Sequence, residues 1–405
     1  MRRRTWLPTL LAIVLLAVVA VPTQEKGGQE EFGPYEPVEN WPKPLPDGPD
    51  GVKHAGWTWG SVGGMWAETP DRIWIAMRGE LPLPTGAAPW TPYGMLQPPR
   101  RATGNDDGLS ATCEPTEKRG WERRYHHTIF VVNRNGDVVQ DWPHLNKIFE
   151  MKCGRGPHKI KMSPYDPEKH VWVIDDNLHQ IFKFTYDGKL VMTLGQMGVE
   201  GRGPNTFARP TDIAWLPDGT FFISDGYHGK RVAKFDPNGK FLMDWGSAPA
   251  DPKNPGPNEW NTVHSIAISK DRKLYVVDRG HERFQVFDEN GKFLDMFQTR
   301  ESHWPTGVRS QPYYHLITDD GFIWMGDGGT QRILKYDLDG NFLYGWGQAG
   351  SKPGQWWGPH QMTVDQEGNL YVAEVQNGRI QKLRPKKNAD PAKVIGQEVR
   401  LKTTS

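Results

Sequence analysis

Cysteine is nearly absent from this chain: Cys113 and Cys153 are the two in 405 residues. No disulfide framework can hold such a sequence together, and without a CxxC spacing a thiolate metal site is excluded. In an oxidising compartment the two can pair, closing a loop of about 40 residues worth about 3–4 kcal/mol; two free thiols are the alternative. An excess of charge is missing as well. With 49 basic and 48 acidic residues the net charge is +1, so no basic field speaks for a nucleic-acid partner or an anionic membrane surface. Long apolar runs are missing beyond the N-terminus, and no other segment is expected to cross a bilayer.

That N-terminus has its own pattern. Arg2, Arg3 and Arg4 precede an apolar stretch over residues 7–19, and small residues close it at Ala20. Residues 1–23 therefore read as an export signal, which places the mature protein in the periplasm or outside the cell. An uncleaved membrane anchor is the alternative, although the stretch falls short of the ~20 apolar residues a span needs. No cysteine follows it, which argues against a lipid-anchored form.

What the sequence does have is glycine (45), proline (34) and tryptophan (18), a composition suited to short strands joined by tight turns. The strands repeat. The stretches "RPTDIAWLPDGTFFISDGYHGKRVAKFDPNGKFLMDWG", "NTVHSIAISKDRKLYVVDRGHERFQVFDENGKFLDMF" and "YYHLITDDGFIWMGDGGTQRILKYDLDGNFLYGWG" share one plan. Each reads as four strands separated by hairpin turns such as "PDG", "PNG", "ENG" and "LDG". Six units begin near Val62, His158, Asp212, His264, Tyr314 and His360. Four-stranded units at a period of about 50 residues predict an all-β fold, a six-bladed β-propeller. Over nearly all of residues 62–383 the sequence resembles the NHL-repeat family of six-bladed propellers.

The propeller is expected to fill residues 24–385. Its first unit is split: "RIWIAMRG" and "HHTIFVVNRNGDVVQDW" flank an insert over residues 80–125. Its last unit lacks a fourth strand, and "YEPVENWP" resembles the fourth strands elsewhere. Residues 35–41 are therefore predicted to supply that strand and close the ring. Residues 386–405, polar and basic, read as a flexible, loosely attached tail.

His158, His264 and His360 occupy one place in units two, four and six. Alternate blades of a six-bladed ring lie about 120° apart and their first strands line the central channel. The three imidazoles thus converge on the axis, as for a three-histidine metal with an open fourth position, for which zinc is the default. His126 and His127 flank a strand instead, and His179 reads as a filler between blades. A second register lies where each second strand ends: Arg78, Asp175 and Asp176, Asp225 and Tyr227, Asp278 and Arg279, Asp327, and Glu374. Carboxylates there read as turn-holding groups. Arg78, Tyr227 and Arg279 fit chemistry better: an arginine for a substrate carboxylate and a tyrosine for proton transfer.

Several stretches carry a narrower resemblance: "MRGE", "GPHKIKM", "LHQIFKF", "RPTDIAW", "ISDGYHGKRVAKF", "TVHSIAI", "VVDRGHERFQVF" and "GPHQMTV". With them the sequence resembles the peptidyl-α-hydroxyglycine α-amidating lyases. The resemblance implies zinc on His158, His264 and His360, with Tyr227 and Arg78 serving the chemistry and Arg279 in the site. It implies cleavage of a C-terminal α-hydroxyglycine to a peptide amide and glyoxylate, so the expected partner is a peptide or small molecule bearing that group. There are departures. The family has an aspartate ligand for a structural calcium after the third histidine, whereas Gln361 is neutral, and calcium prefers anionic oxygens. The family's disulfide beside the tyrosine is missing, since Phe207 and His228 stand there. No monooxygenase domain is read in the chain, and the insert after Arg78 is expected to cover the channel mouth. Two other readings stay open: a metal-dependent propeller hydrolase or lactonase, and a non-catalytic propeller scaffold with a structural metal. The chain is expected to act as a monomer.

Overall fold

The computed structural model describes residues 33–48, 51–54, 57–80, 124–150, 156–299 and 307–402. Both cysteines, the expected export signal and most of the 80–125 insert lie outside these residues.

Six four-stranded antiparallel sheets stand around a central axis. Their innermost strands are Val62–Thr69, Lys159–Met162, Pro210–Trp215, Val263–Ile268, Pro312–Ile317 and Pro359–Val364, in blades one to six. These strands are almost wholly buried, whereas outer strands such as Leu190–Leu194 and Phe293–Gln298 face solvent. The turns explain why the sequence folds this way. Between third and fourth strands an aspartate accepts backbone N–H bonds two and four residues on: Asp236 from Asn238 and Lys240, Asp288 from Asn290 and Lys292, at 2.8–2.9 Å. A glycine follows in the left-handed region, Gly239 at φ 80° and Gly291 at φ 79°. Aspartate-to-glycine turns of this kind set hairpin register.

The core is not a single mass but a ring of six apolar clusters, one between each pair of neighbouring blades. Each face of a blade buries its alternate residues against the next blade, so no blade can be stable alone. The ring closes as expected. Tyr35–Pro37 pairs antiparallel with Arg379–Pro385 as the fourth strand of the last blade. Only three of the seven predicted residues join that ladder. Trp41 instead packs against Tyr371, ring centroids 5.1 Å apart.

The segment after Lys386, expected as a loose tail, is laid across one face of the ring. Ile395, Val399 and Leu401 enter the clusters between blades five and six, four and five, and three and four. Its backbone is tied too: the Tyr35 hydroxyl accepts from the Ile395 N–H at 2.9 Å, and the Ile317 carbonyl accepts from the Val399 N–H at 2.8 Å. Three apolar side chains and these bonds outweigh a polar composition. Among the described residues no helix is long and apolar enough to cross a membrane.

Carboxylates at the ends of the second strands hold the blades. Asp225, Asp278 and Glu374 each meet an arginine of the third strand, Arg231, Arg283 and Arg379, at 2.9, 3.2 and 2.7 Å. The same carboxylates accept backbone N–H groups of the preceding loop, from Ala208, from Thr262 and from Trp357. Removing one partner strands a buried charge. Arg283→Leu is expected to lose about 3–5 kcal/mol of stability, read as a lowered urea midpoint; an unchanged midpoint would show that this ion pair contributes nothing.

Candidate metal centre and channel site

The site begins with an irregularity of the inner strands. In five blades the pairing of first and second strands slips at the same point. The extra residue is Gly63, Thr211, His264, Tyr313 or His360, and His158 holds the equivalent place in blade two. A bulge re-aims the side chain that it carries. Here the three histidines of blades two, four and six turn toward the axis together, with ring centroids 4.6, 5.1 and 5.2 Å apart. One nitrogen from each ring lies within 4.8 Å of the other two.

The odd blades hold these rings in place. His158 Nδ1 lies 2.9 Å from the Thr211 carbonyl, His264 Nδ1 2.6 Å from that of Tyr313, and His360 Nδ1 2.7 Å from that of Gly63. Each acceptor is the bulge residue of the next blade around the ring. A carbonyl can only accept, so every Nδ1 carries the proton and every Nε2 presents its lone pair. Gly63 is required here: a Cβ at that position would stand 2.6 Å from the Pro157 carbonyl oxygen and 2.8 Å from that of His158.

Burial pushes all three imidazoles well below their ordinary pKa. Neighbouring cations add to this: Arg78 and Lys159 act on His158 and His360, Arg279 on His264. The rings are therefore neutral. The Tyr227 hydroxyl stands 3.1 Å from His158 Nε2 and 3.0 Å from His264 Nε2. A phenol has one proton and cannot satisfy two acceptors, whereas a cation among the three nitrogens satisfies all of them. The donor set fits zinc: three neutral imidazoles, their second nitrogens anchored, and a fourth direction left toward Tyr227.

Around this centre the structure gathers the sequence candidates, adds two residues that sequence reading missed, Arg209 and Tyr313, and gives Asp176 a role other than holding its turn. Tyr227 lies between two guanidinium groups, Arg279 at 5.0 Å and Arg209 at 4.4 Å from its ring centre. Arg279 also sits 5.3 Å from the ring of Tyr313, which packs between His264 and His360. Asp176 is fully buried and links two arginines: Arg78 at 3.3 Å, and Arg209, whose Nε donates at 3.1 Å. Asp225, Asp278 and Glu374 pair with an arginine of their own blade, whereas Asp176 of blade two bridges arginines of blades one and three. Arg209 could have been found from "RPTD", because it precedes the bulge residue of its blade. Tyr313 carried only one signal, its place in the histidine register. His179 lies where a filler was expected, its Nδ1 accepting from the Arg209 N–H at 3.1 Å.

One residue further along the inner strands, the channel offers calcium little. The Gln361 side-chain oxygen accepts from the Met65 N–H, and its amide donates to the Ile160 carbonyl. Asp212 is paired with Lys161 at 2.9 Å and accepts from the Ser265 hydroxyl. The Lys159 ammonium donates to the His360 carbonyl at 3.0 Å, and burial lowers its pKa to about 7 against the pull of Asp212.

No protein-family model matches the chain. Curated proteins do resemble it. The peptidyl-glycine alpha-amidating monooxygenase B of Xenopus laevis is 28% identical over 288 residues, 67% of this chain and 30% of that protein. The peptidyl-alpha-hydroxyglycine alpha-amidating lyase 1 of Drosophila melanogaster is 29% identical over 279 residues, 63% of this chain and 48% of that protein. The NHL repeat-containing protein 3 of Mus musculus is 28% identical over 264 residues, 58% of this chain and 69% of that protein. The chain thus spans less than half the length of the amidating relatives it matches. Its homologues include amidating lyases and NHL-repeat proteins, and it shares with them a lyase-like propeller sequence.

Proposed function

We propose that this chain is a zinc-dependent carbon–nitrogen lyase that cleaves a carbinolamide, the C-terminal α-hydroxyglycine of a peptide or a small analogue, into an amide and glyoxylate. One observation carries the reading: a tyrosine hydroxyl within 3.1 Å of two anchored imidazoles and flanked by two guanidinium groups. Zinc held by His158, His264 and His360 would supply Lewis acidity toward the carbinol oxygen. Tyr227, acting as the phenolate, takes the proton of that hydroxyl and becomes the phenol. The C–N bond then breaks, its electron pair leaves with the amide nitrogen, and the proton returns from the phenol to that nitrogen. The carbon becomes the aldehyde of glyoxylate, so atoms and electrons balance without a redox partner. Arg279 binds the substrate carboxylate, and Arg78, positioned by Asp176, adds positive charge where negative charge develops. Arg209 fixes the plane of the Tyr227 ring by stacking on it.

The names of the amidating relatives are consistent with a peptide substrate. The experiment is direct: the metal-loaded protein is incubated with an N-acyl-α-hydroxyglycine, and amide and glyoxylate are measured against the spontaneous rate. Equal release of both products above that rate supports the lyase. Binding of the compound without turnover would favour a non-catalytic propeller scaffold, and turnover of lactones instead would favour the hydrolase.

A further inference from the structure

A second cluster of metal-ligating side chains lies apart from the axis, at the neck of the 80–125 insert. His54 comes from the chain that leads into blade one, Glu80 from the end of the second strand of that blade, and His126 from the approach to its third strand. The neck is closed by backbone hydrogen bonds between Glu80 and Arg124 at 2.8 and 2.9 Å. Glu80 and His54 are buried, with side chains 0% and 1% exposed, and the His126 side chain is 15% exposed. His54 Nδ1 stands 3.3 Å from Glu80 Oε2, His126 Nδ1 3.8 Å from the same oxygen, and His54 Nε2 2.9 Å from His126 Nδ1. One donor atom from each residue lies within 4.8 Å of the other two.

Two observations show that hydrogen bonding does not account for the side of this cluster where His54 Nδ1 faces Glu80 Oε2. Glu80 Oε1 accepts the His127 N–H at 2.9 Å, but Oε2 is buried with no hydrogen-bond partner among the described residues. His54 Nδ1 is buried in the same condition. A fully buried carboxylate oxygen and an imidazole nitrogen, facing each other without a bond, each bear a desolvation cost of about 1–3 kcal/mol. Ligands around a tetrahedral zinc are separated by about 3.3 Å, close to the 3.3 and 3.8 Å that separate Glu80 Oε2 from the nearest nitrogens of His54 and His126. The nearby His127 is already committed: its Nδ1 lies 2.6 Å from Asp141 and its Nε2 3.2 Å from the Pro46 carbonyl. Trp57 stacks on His54 with ring centroids 4.6 Å apart and fixes the plane of that imidazole.

We propose that His54, Glu80 and His126 form a second metal site, taking a divalent first-row ion of the zinc class with water in the remaining position on the His126 side. Two imidazoles and one carboxylate suit such an ion. Its work is structural. It ties the chain entering blade one to both sides of the insert neck, two residues from Arg78. The inference does not depend on the lyase reading, because none of these residues belongs to the axial centre.

The test is a metal count on the full chain, stripped with a chelator and reloaded with Zn²⁺. Wild type is expected to hold about two zinc ions per chain. E80Q and H264A are each expected to hold about one, and the double variant none. Loading H264A with Co²⁺ should give visible ligand-field bands that disappear in the double variant. H126N, at the partly exposed ligand, replaces E80Q if the latter fails to fold by circular dichroism. One zinc in wild type, unchanged by E80Q or H126N, would overturn the second site. Failure of glyoxylate release with two zinc ions bound would overturn only the lyase.

Discussion

Tyr227→Phe is expected to keep the axial metal and to lose about 10²–10⁴-fold of turnover, the span that a positioned acid or base contributes. The variant removes one oxygen and little volume. The phenyl ring still fills the space between Arg209 and Arg279, and the three imidazoles keep their carbonyl anchors. What goes is the sole group seen within hydrogen-bond reach of both His158 Nε2 and His264 Nε2 among the described residues. If the phenol moves the proton, kcat falls while KM changes little, because carboxylate binding rests on the arginines. The measurement is kcat and KM for glyoxylate release together with the zinc content of the same sample. Turnover within a few-fold of wild type would remove Tyr227 from the chemistry.

His264→Ala is the second large effect. It deletes one ligand of three and also breaks the 2.6 Å bond to the Tyr313 carbonyl. Two imidazoles rarely hold zinc against a chelator, so the axial ion should be lost, and with it several kcal/mol of transition-state stabilisation, roughly 10³-fold or more in rate. His228→Ala is the control. That histidine is exposed and adjoins Tyr227 in sequence, and its side chain meets Glu200 at 3.0 Å, so metal and activity should both survive. Retention of the axial zinc by the His264 variant would show that the ligand set is misassigned.

Much of this was legible in the sequence because it depends on local periodicity. Aspartate-to-glycine turns at fixed offsets, as at Asp236 and Asp288, mark the hairpins without tertiary information. The three histidines could be found because one place in a repeat maps to one depth on the axis. The bulges that carry His264 and His360 leave no sequence mark, and neither do the Thr211, Tyr313 and Gly63 carbonyls, since a backbone acceptor has no residue identity. Asp176 looked like its fellow carboxylates and differs only in facing Arg78 and Arg209 across a blade boundary. The C-terminal segment misled through composition. Ile395, Val399 and Leu401 follow no strand or helix period, because each answers to a different pair of blades.

Gly63 belongs to the first sheet of the chain and His360 to the last, so one of the three imidazole anchors crosses the seam where the hoop is joined. The proposed ion, gripped by that ring, would pull on the join from inside, while Tyr35–Pro37 fastens it from outside. Stripping such an ion would then do more than silence the proposed chemistry: it would remove the inner of two latches, and the hoop should spring first at that seam.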